Sequence, residues 1–314
     1  MSQNTLLSVI IPVYYEGKLV HTAFERVHEA VKDKFPHYEL IFVDDGSEDD
    51  TFEELQILAS KHQHVKVVKF STNAGSHMAI RAGLDYASGD VVSFIACDMQ
   101  EPPELIGKMF DVLEKPYEIV WAVRNSRKDG KISVLFSNTF YFFARRIVSK
   151  NIPPKGSSMF LITRKVVDAI RKYNERNLTL EGLLATIGYK STHIYYEREE
   201  RIAGKSKWTL AKKIKLFVDF FVAYSYFPIR FISVTGIIFS LIGFLWTIYI
   251  VARHFIVGDL SSGWPALISV LLVGFGITNI SLGIIAEYLW RTLDETRRRP
   301  NYIVEHELNF QKEK

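Results

Sequence analysis

The sequence predicts an α/β domain built on a parallel sheet, followed by two C-terminal helices long enough to cross a membrane. Three observations carry this. Four short β-rich runs in the first hundred residues each adjoin a helical stretch. Two runs near the C-terminus, of 22 and 21 residues, hold no charge. The 314 residues, with 48% hydrophobic and 24% charged side chains, match neither a disordered nor a collagen-like chain. A mean hydropathy of +0.05 is high for a chain with 39 basic and 35 acidic side chains, so the apolar excess must be concentrated, and it lies late. A single cysteine, Cys97, excludes an intramolecular disulfide and a cysteine-based zinc cluster. A net charge of only +4 does not suggest nucleic acid as a partner.

The β-rich runs are Leu7–Val13, Tyr38–Val43, Val65–Phe70 and Val91–Ala96. Strands alternating with helices imply a parallel sheet covered on both faces. Ligands of such sheets bind beyond the carboxyl ends of the strands. Those ends are rich in functional side chains: Pro12, Tyr14, Tyr15 and Glu16 after the first run, Asp44 and Asp45 after the second, Asn73 and Gly75 after the third, Asp98 and Gln100 after the fourth. There is no GxGxxG turn after the first run and no GxxxxGK[ST] anywhere, which argues against a dinucleotide oxidoreductase or a P-loop enzyme. Carboxylates at strand ends accept hydrogen bonds from ribose hydroxyls or a base N–H, and Asp44 and Asp45 suit that role. Asp98, with the Gln100 amide oxygen two residues on, suits a hard cation bridging a diphosphate. A turn or cap role competes for each Asp taken singly. It weakens when all of them stand at successive strand ends of one sheet.

Two later stretches read as interfacial helices. Residues 133–149 carry Phe136, Phe140, Phe143 and Ile147 at helical spacing beside Arg145, Arg146 and Lys150. Residues 209–227 carry Leu210, Ile214, Phe217 and Phe221 beside Lys212, Lys213 and Lys215. Such faces suit the headgroup region, and ordinary core packing is the competing reading. The charge-free runs follow. Phe231–Ala252 spans roughly 33 Å as a helix and Ala266–Ala286 roughly 31 Å, each enough for a bilayer core. Basic residues flank the outer ends of this pair, while the connection has only Arg253 and Asp259. That asymmetry places both termini in the cytoplasm with a short external loop. The N-terminal apolar run is too short for a signal-peptide core. The expected organisation is therefore 1–208 catalytic domain, 209–227 interfacial helix, 228–290 transmembrane hairpin and 291–314 cytoplasmic tail.

Several motifs carry a resemblance: SVIIPVYYE (8–16), VDDGS (43–47), Asn73–Gly75 with Gly83 and Gly89-Asp90, DMQEPPE (98–104), VRNSR (123–127), GKSKW (204–208) and EYLWRTLDETRRRPNY (287–302). In this order, with two spans after GKSKW, the chain resembles family 2 glycosyltransferases of the GT-A, Rossmann-like fold. More narrowly it resembles those acting on polyprenyl phosphates, the group of the bactoprenol glucosyltransferases and dolichol-phosphate mannosyltransferase. It departs from them at Tyr15, where relatives carry Asn, at Ala96, where many carry a second metal-binding Asp, and in the acid-free loop 151–160.

The resemblance implies an inner-membrane enzyme that moves a sugar, with inversion, from a nucleotide-sugar donor to undecaprenyl phosphate. UDP-glucose and UDP-N-acetylglucosamine are the first donors expected. It implies donor contacts at Pro12, Tyr14, Glu16, Asp44, Asp45, Asn73, Gly75 and Asp98, and a divalent metal, Mg or Mn, at Asp98 and Gln100. His77 either touches a donor phosphate or is a structural residue at a helix start. An acceptor phosphate is already anionic and needs cations more than a base. Arg124, Arg127, Arg201, Lys205 and Lys207 are the expected cations, with Arg124, Arg127 and Lys205 counted among the catalytic residues beside Asp98. Relatives form oligomers, tetramers included, so a homo-oligomer is expected. Two other readings compete. One is a polysaccharide or glycolipid synthase, although the QxxRW motif of processive enzymes is missing. The other is an inactive nucleotide-sugar-binding scaffold.

Overall fold

The computed structural model describes residues 4–125, 131–173, 175, 179–197, 220–257 and 263–310. The chain forms two compact units, Met1–Ile214 together with Pro300–Lys314, and Lys215–Arg299.

The first unit is an 8-stranded sheet with helices on both faces. Its strands are β1 (Leu6–Val13), β2 (His37–Asp44), β3 (Val65–Phe70), β4 (Val91–Phe94), β5 (Ile119–Arg124), β6 (Ser157–Thr163), β7 (Ser191–Tyr196) and β8 (Val304–Leu308), in the spatial order β7-β5-β6-β4-β1-β2-β3-β8. The four strands expected from sequence are mutually parallel, with β1 between β2 and β4. These four are parallel as expected, and the later strands make the full sheet mixed. β6 runs antiparallel to both β4 and β5, and β8 antiparallel to β3. Since β5 and β7 are parallel to each other and opposed to β6, the carboxyl ends of β1–β5 and β7 share one edge.

β1 is apolar at nearly every position because both its faces are covered. Val9, Ile11 and Val13 pack toward α1 (Gly17–Val31), α2 (Thr51–Lys61) and α4 (Leu105–Val112). Ile10 packs to the other side with α3 (Ser76–Tyr86), α6 (Arg164–Ile170) and α7 (Leu180–Thr186). α3 comes very near β1 because Gly83 has no side chain, and a Cβ there would collide with the Ile10 side chain. A further helix, α5 (Lys131–Ile147), links β5 to β6. Its Ala144 is buried, whereas Phe142 and Phe143 are exposed beside exposed Arg145 and Arg146.

β8 comes from the chain after the second apolar helix. It adds to β3 with Val67 opposite Leu308 and Lys69 opposite His306. Tyr302 stacks on Phe70 with centroids 4.9 Å apart and donates its hydroxyl to Asp85 Oδ2 at 2.9 Å. Asn309, in the left-handed region at φ 62°, donates to the carbonyls of Ala59 and Val65, both at 2.8 Å. The tail is thus an edge strand of the first unit.

The second unit contains α8 (Phe227–Val257) and α9 (Trp264–Thr296), 31 and 33 residues long. Both charge-free runs lie inside these helices, which continue past the expected ends of the spans. Both are long and apolar enough to cross a membrane. Their large apolar side chains face outward; Phe231, Ile237, Phe244 and Phe275 are each more than half exposed. A core helix buries such residues, so this exposure favours reading both helices as candidate membrane spans. The Tyr288 hydroxyl bonds the Ser225 carbonyl at 2.9 Å, which brings the late part of α9 to the start of α8. Before α8, residues 220–224 are helical, with Phe220, Phe221 and Val222 buried.

Candidate active site

The candidate site is the shared carboxyl edge, where the turns after β1 to β4 and the end of β5 lie. After β1 the chain turns at Tyr15, whose φ of 55° is in the left-handed region. Its N–H donates to Ser47 Oγ at 3.0 Å, and the Glu16 N–H donates to Thr51 Oγ1 at 3.1 Å. These bonds fasten the β1 turn to the VDDGS loop. The loop itself reverses at Gly46, where φ is +74° and a Cβ would stand 2.7 Å from the Thr72 carbonyl carbon. Only glycine satisfies both conditions.

The two aspartates of that loop do different work. Asp45 clasps the β3–α3 connection: Oδ1 accepts from the Ala74 N–H at 2.7 Å, and Oδ2 accepts from the Gly75 N–H and from Asn73 Nδ2, both at 2.9 Å. Asn73 and Gly75 are therefore joined to Asp45 by direct bonds. Asp44 is fully buried. Its Oδ1 accepts the Ser47 N–H at 3.0 Å, and its Oδ2 has no partner among the described residues. Burial pushes both carboxyls above the ordinary aspartate range, against the hydrogen bonds that lower them. An enclosed, half-satisfied carboxylate at a strand end suits a donated N–H from a ligand.

At the end of β4, Met99 also takes a left-handed φ of 50° while fully buried. The turn sets Asp98 and Gln100 side by side, with the Gln100 N–H donating to Asp98 Oδ1 at 3.3 Å. Cys97, just before them, is buried; burial, then the adjacent Glu16 carboxylate, raises its thiol well above the usual value, so it is an inert packer that ties β4 to β1. Among the described residues no three His, Cys, Asp or Glu side chains converge as a metal-ligand group. One carboxylate and one amide oxygen still fit a cation whose remaining ligands are substrate phosphates and water, as Mg²⁺ commonly has.

On the other half of the edge, Arg124 ends β5. Its Nη2 lies 3.5 Å from Oε1 of Glu101, which is 2% exposed. The Tyr196 hydroxyl donates to the same oxygen at 3.2 Å. Lys155, from the acid-free loop, reaches the Asn125 carbonyl at 2.7 Å and adds a cation to this end. A cleft of about 410 Å³ opens beside them, walled by Pro102, Glu104, Lys108 and Tyr195. Glu101, Lys155 and Tyr196 were not among the predicted residues. A signal existed for Glu101, which lies inside DMQEPPE, and for Lys155, the one charge in 151–160. His77 sits with Nδ1 buried and 3.8 Å from Glu181 Oε2 of α7. Arg127, Arg201, Lys205 and Lys207 lie outside the described residues.

Comparison with known proteins agrees with this geometry. Residues 8–171 match the family model described as glycosyl transferase family 2. The chain is 36% identical over 306 residues to an uncharacterized glycosyltransferase, YkcC, of Bacillus subtilis, covering 97% of this chain and 95% of that one. It is 31% identical over 303 residues to the bactoprenol glucosyl transferase of Shigella phage SfV (96% and 98%). It is equally 31% identical to the undecaprenyl-phosphate 4-deoxy-4-formamido-L-arabinose transferase of Yersinia pestis (95% and 92%). Among solved structures, the mannosyltransferase PcManGT of Pyrobaculum calidifontis, in complex with GDP-Man and Mn²⁺, superposes with a TM-score of 0.51 at 14% identity, covering 91% of this chain and 88% of that one. That likeness is one of fold.

Proposed function

The chain belongs to glycosyl transferase family 2, and we propose that within it the protein transfers a hexose from a UDP-sugar to undecaprenyl phosphate, with inversion, at the cytoplasmic face of the inner membrane. The observation that carries this reading is the end-to-end likeness to a bactoprenol glucosyl transferase, which spans the strand-edge site and both long apolar helices alike. UDP-glucose is the first donor to test, and UDP-N-acetylglucosamine the second.

The reaction needs two anions brought together. Asp44, Tyr14 and the amide-rich 73–75 loop border the place for the nucleotide. Asp98 and Gln100 would hold a divalent cation against the donor diphosphate; such a cation would neutralise the leaving UDP. Arg124 would hold the acceptor phosphate, with Arg127, Arg201, Lys205 and Lys207 assigned to the same task from sequence. An oxygen of that phosphate attacks the anomeric carbon, the bond from that carbon to the diphosphate oxygen breaks, and UDP departs with the electron pair. The attacking oxygen is already ionised at neutral pH, so the acid-free 151–160 loop is compatible with turnover. The protein's contribution is positioning and charge.

The test is a transfer assay with the full chain in detergent, undecaprenyl phosphate, labelled UDP-sugars and Mg²⁺ or Mn²⁺, with and without EDTA. Labelled lipid from one donor, abolished by EDTA and by Asp98→Ala, is expected. Transfer that survives EDTA removes the metal assignment and leaves the class intact. UDP binding without transfer to any acceptor overturns the proposal in favour of an inactive scaffold.

A further inference from the structure

Glu101 is among the most enclosed carboxylates of the strand-edge loops, and the proposed reaction does not use it. It follows directly on the Asp98–Gln100 turn. One of its oxygens lies between two groups from different strands, Arg124 at 3.5 Å and the Tyr196 hydroxyl at 3.2 Å. β5 and β7 pair in register with Arg124 opposite Tyr196, and the Asn125 N–H bonds the Tyr196 carbonyl at 2.8 Å. The carboxylate is therefore held by the same strand pair that carries the arginine.

The asymmetry of this pair is informative. Glu101 is 2% exposed, while the Arg124 side chain keeps 22%. A guanidinium has five N–H donors in one rigid plane, so an anion on one edge orients the others. At 3.5 Å the contact is an ion pair longer than a hydrogen bond, and it leaves Arg124 with donors to spare. A bare arginine would attract phosphate more strongly, because the adjacent carboxylate offsets its charge. Mere anion affinity is then a poor account of Glu101, whereas orientation is a good one.

We propose that Glu101 is a positioning residue: braced by Tyr196, it sets the plane of the Arg124 guanidinium that receives the acceptor phosphate. The proposal rests on the reading of Arg124 as acceptor anchor. Glu101→Gln keeps the shape and an acceptor for Tyr196 but removes the charge. If Glu101 orients Arg124, the acceptor kcat/KM falls about ten- to a hundredfold, as small misplacements do, while the donor KM stays within about twofold. In an Arg124→Ala background the same change adds no further loss. Glu101→Asp, which restores the charge on a shorter arm, recovers part of the activity.

Tighter acceptor binding by Glu101→Gln overturns the proposal, as does an undiminished extra loss in the Arg124→Ala background. A parallel fall in donor affinity and melting temperature also overturns it, since a structural role alone would move both. If the wild-type chain transfers nothing to undecaprenyl phosphate, the function reading itself has failed. The pair is then read with inorganic phosphate as the probe. Thermal stabilisation by phosphate that needs both Arg124 and Glu101 supports the proposal, and stabilisation indifferent to Glu101→Gln overturns it.

Discussion

Two residues of the site are kept at a cost to the fold, and each leads to a prediction. Asp44 is buried with one oxygen unpartnered among the described residues, and burial raises its carboxyl above the ordinary value. A raised carboxyl favours the protonated form in the folded state. Its contribution to stability is present at low pH and is lost as pH rises through the folded value. Asp44→Asn keeps an oxygen for the Ser47 N–H and removes the charge. We expect the stability of this variant relative to the wild type to rise with pH, and its UDP binding to weaken at least tenfold. Melting curves across pH with parallel nucleotide titrations check both. Tyr15 is the second case. Its φ of 55° belongs to the region that asparagine tolerates and β-branched residues resist. Tyr15→Val should cost about 1–2 kcal/mol in thermal unfolding, and Tyr15→Asn close to nothing. Equal costs for the two would mean that the left-handed turn does not constrain this position.

At the scale of elements, β8 ties distant parts of the sequence into one sheet. A terminal edge strand of 5 residues has little stability alone. It is held by side chains: Tyr302 on Phe70, Lys69 against Glu305 at 3.2 Å, and above all Asn309. The Asn309 amide satisfies the Ala59 carbonyl near the end of α2 and the Val65 carbonyl at the start of β3, while its backbone occupies the left-handed region. Asn309→Ala removes these bonds together with the one to the His62 carbonyl at 3.3 Å, and adds backbone strain. We expect a loss of about 1–3 kcal/mol, read as a lower melting temperature of the detergent-solubilised full chain. An unchanged melting temperature would mean that the tail contributes nothing to the first unit.

For the whole molecule, α8 and α9 are candidate membrane spans with many large apolar side chains exposed. The proposed topology, read from the charge asymmetry, has a direct test. With Cys97 replaced by alanine, a cysteine at Ser261 should react with a membrane-impermeant thiol reagent from outside the cell. A cysteine at Ser60 in α2 should react only after the membrane is opened. The reverse pattern would invert the proposed topology.

The sequence by itself determined the strand order of chemistry: which residues end β1 to β4, that Asp98 and Gln100 share a turn, and that two helices are long and apolar enough to cross a membrane. These follow from local rules, because strand periodicity, turn residues and the span of a bilayer are set within a few residues of one another. What only the tertiary structure decided depends on pairing between distant segments. β6 and β8 made the sheet mixed, Asp45 proved committed to residues 73–75, and Asp44 kept a vacant oxygen. Glu101 and Tyr196, 95 positions apart, met over Arg124. A buried carboxylate takes its role from whichever donors the fold brings to it, and no local pattern records that meeting.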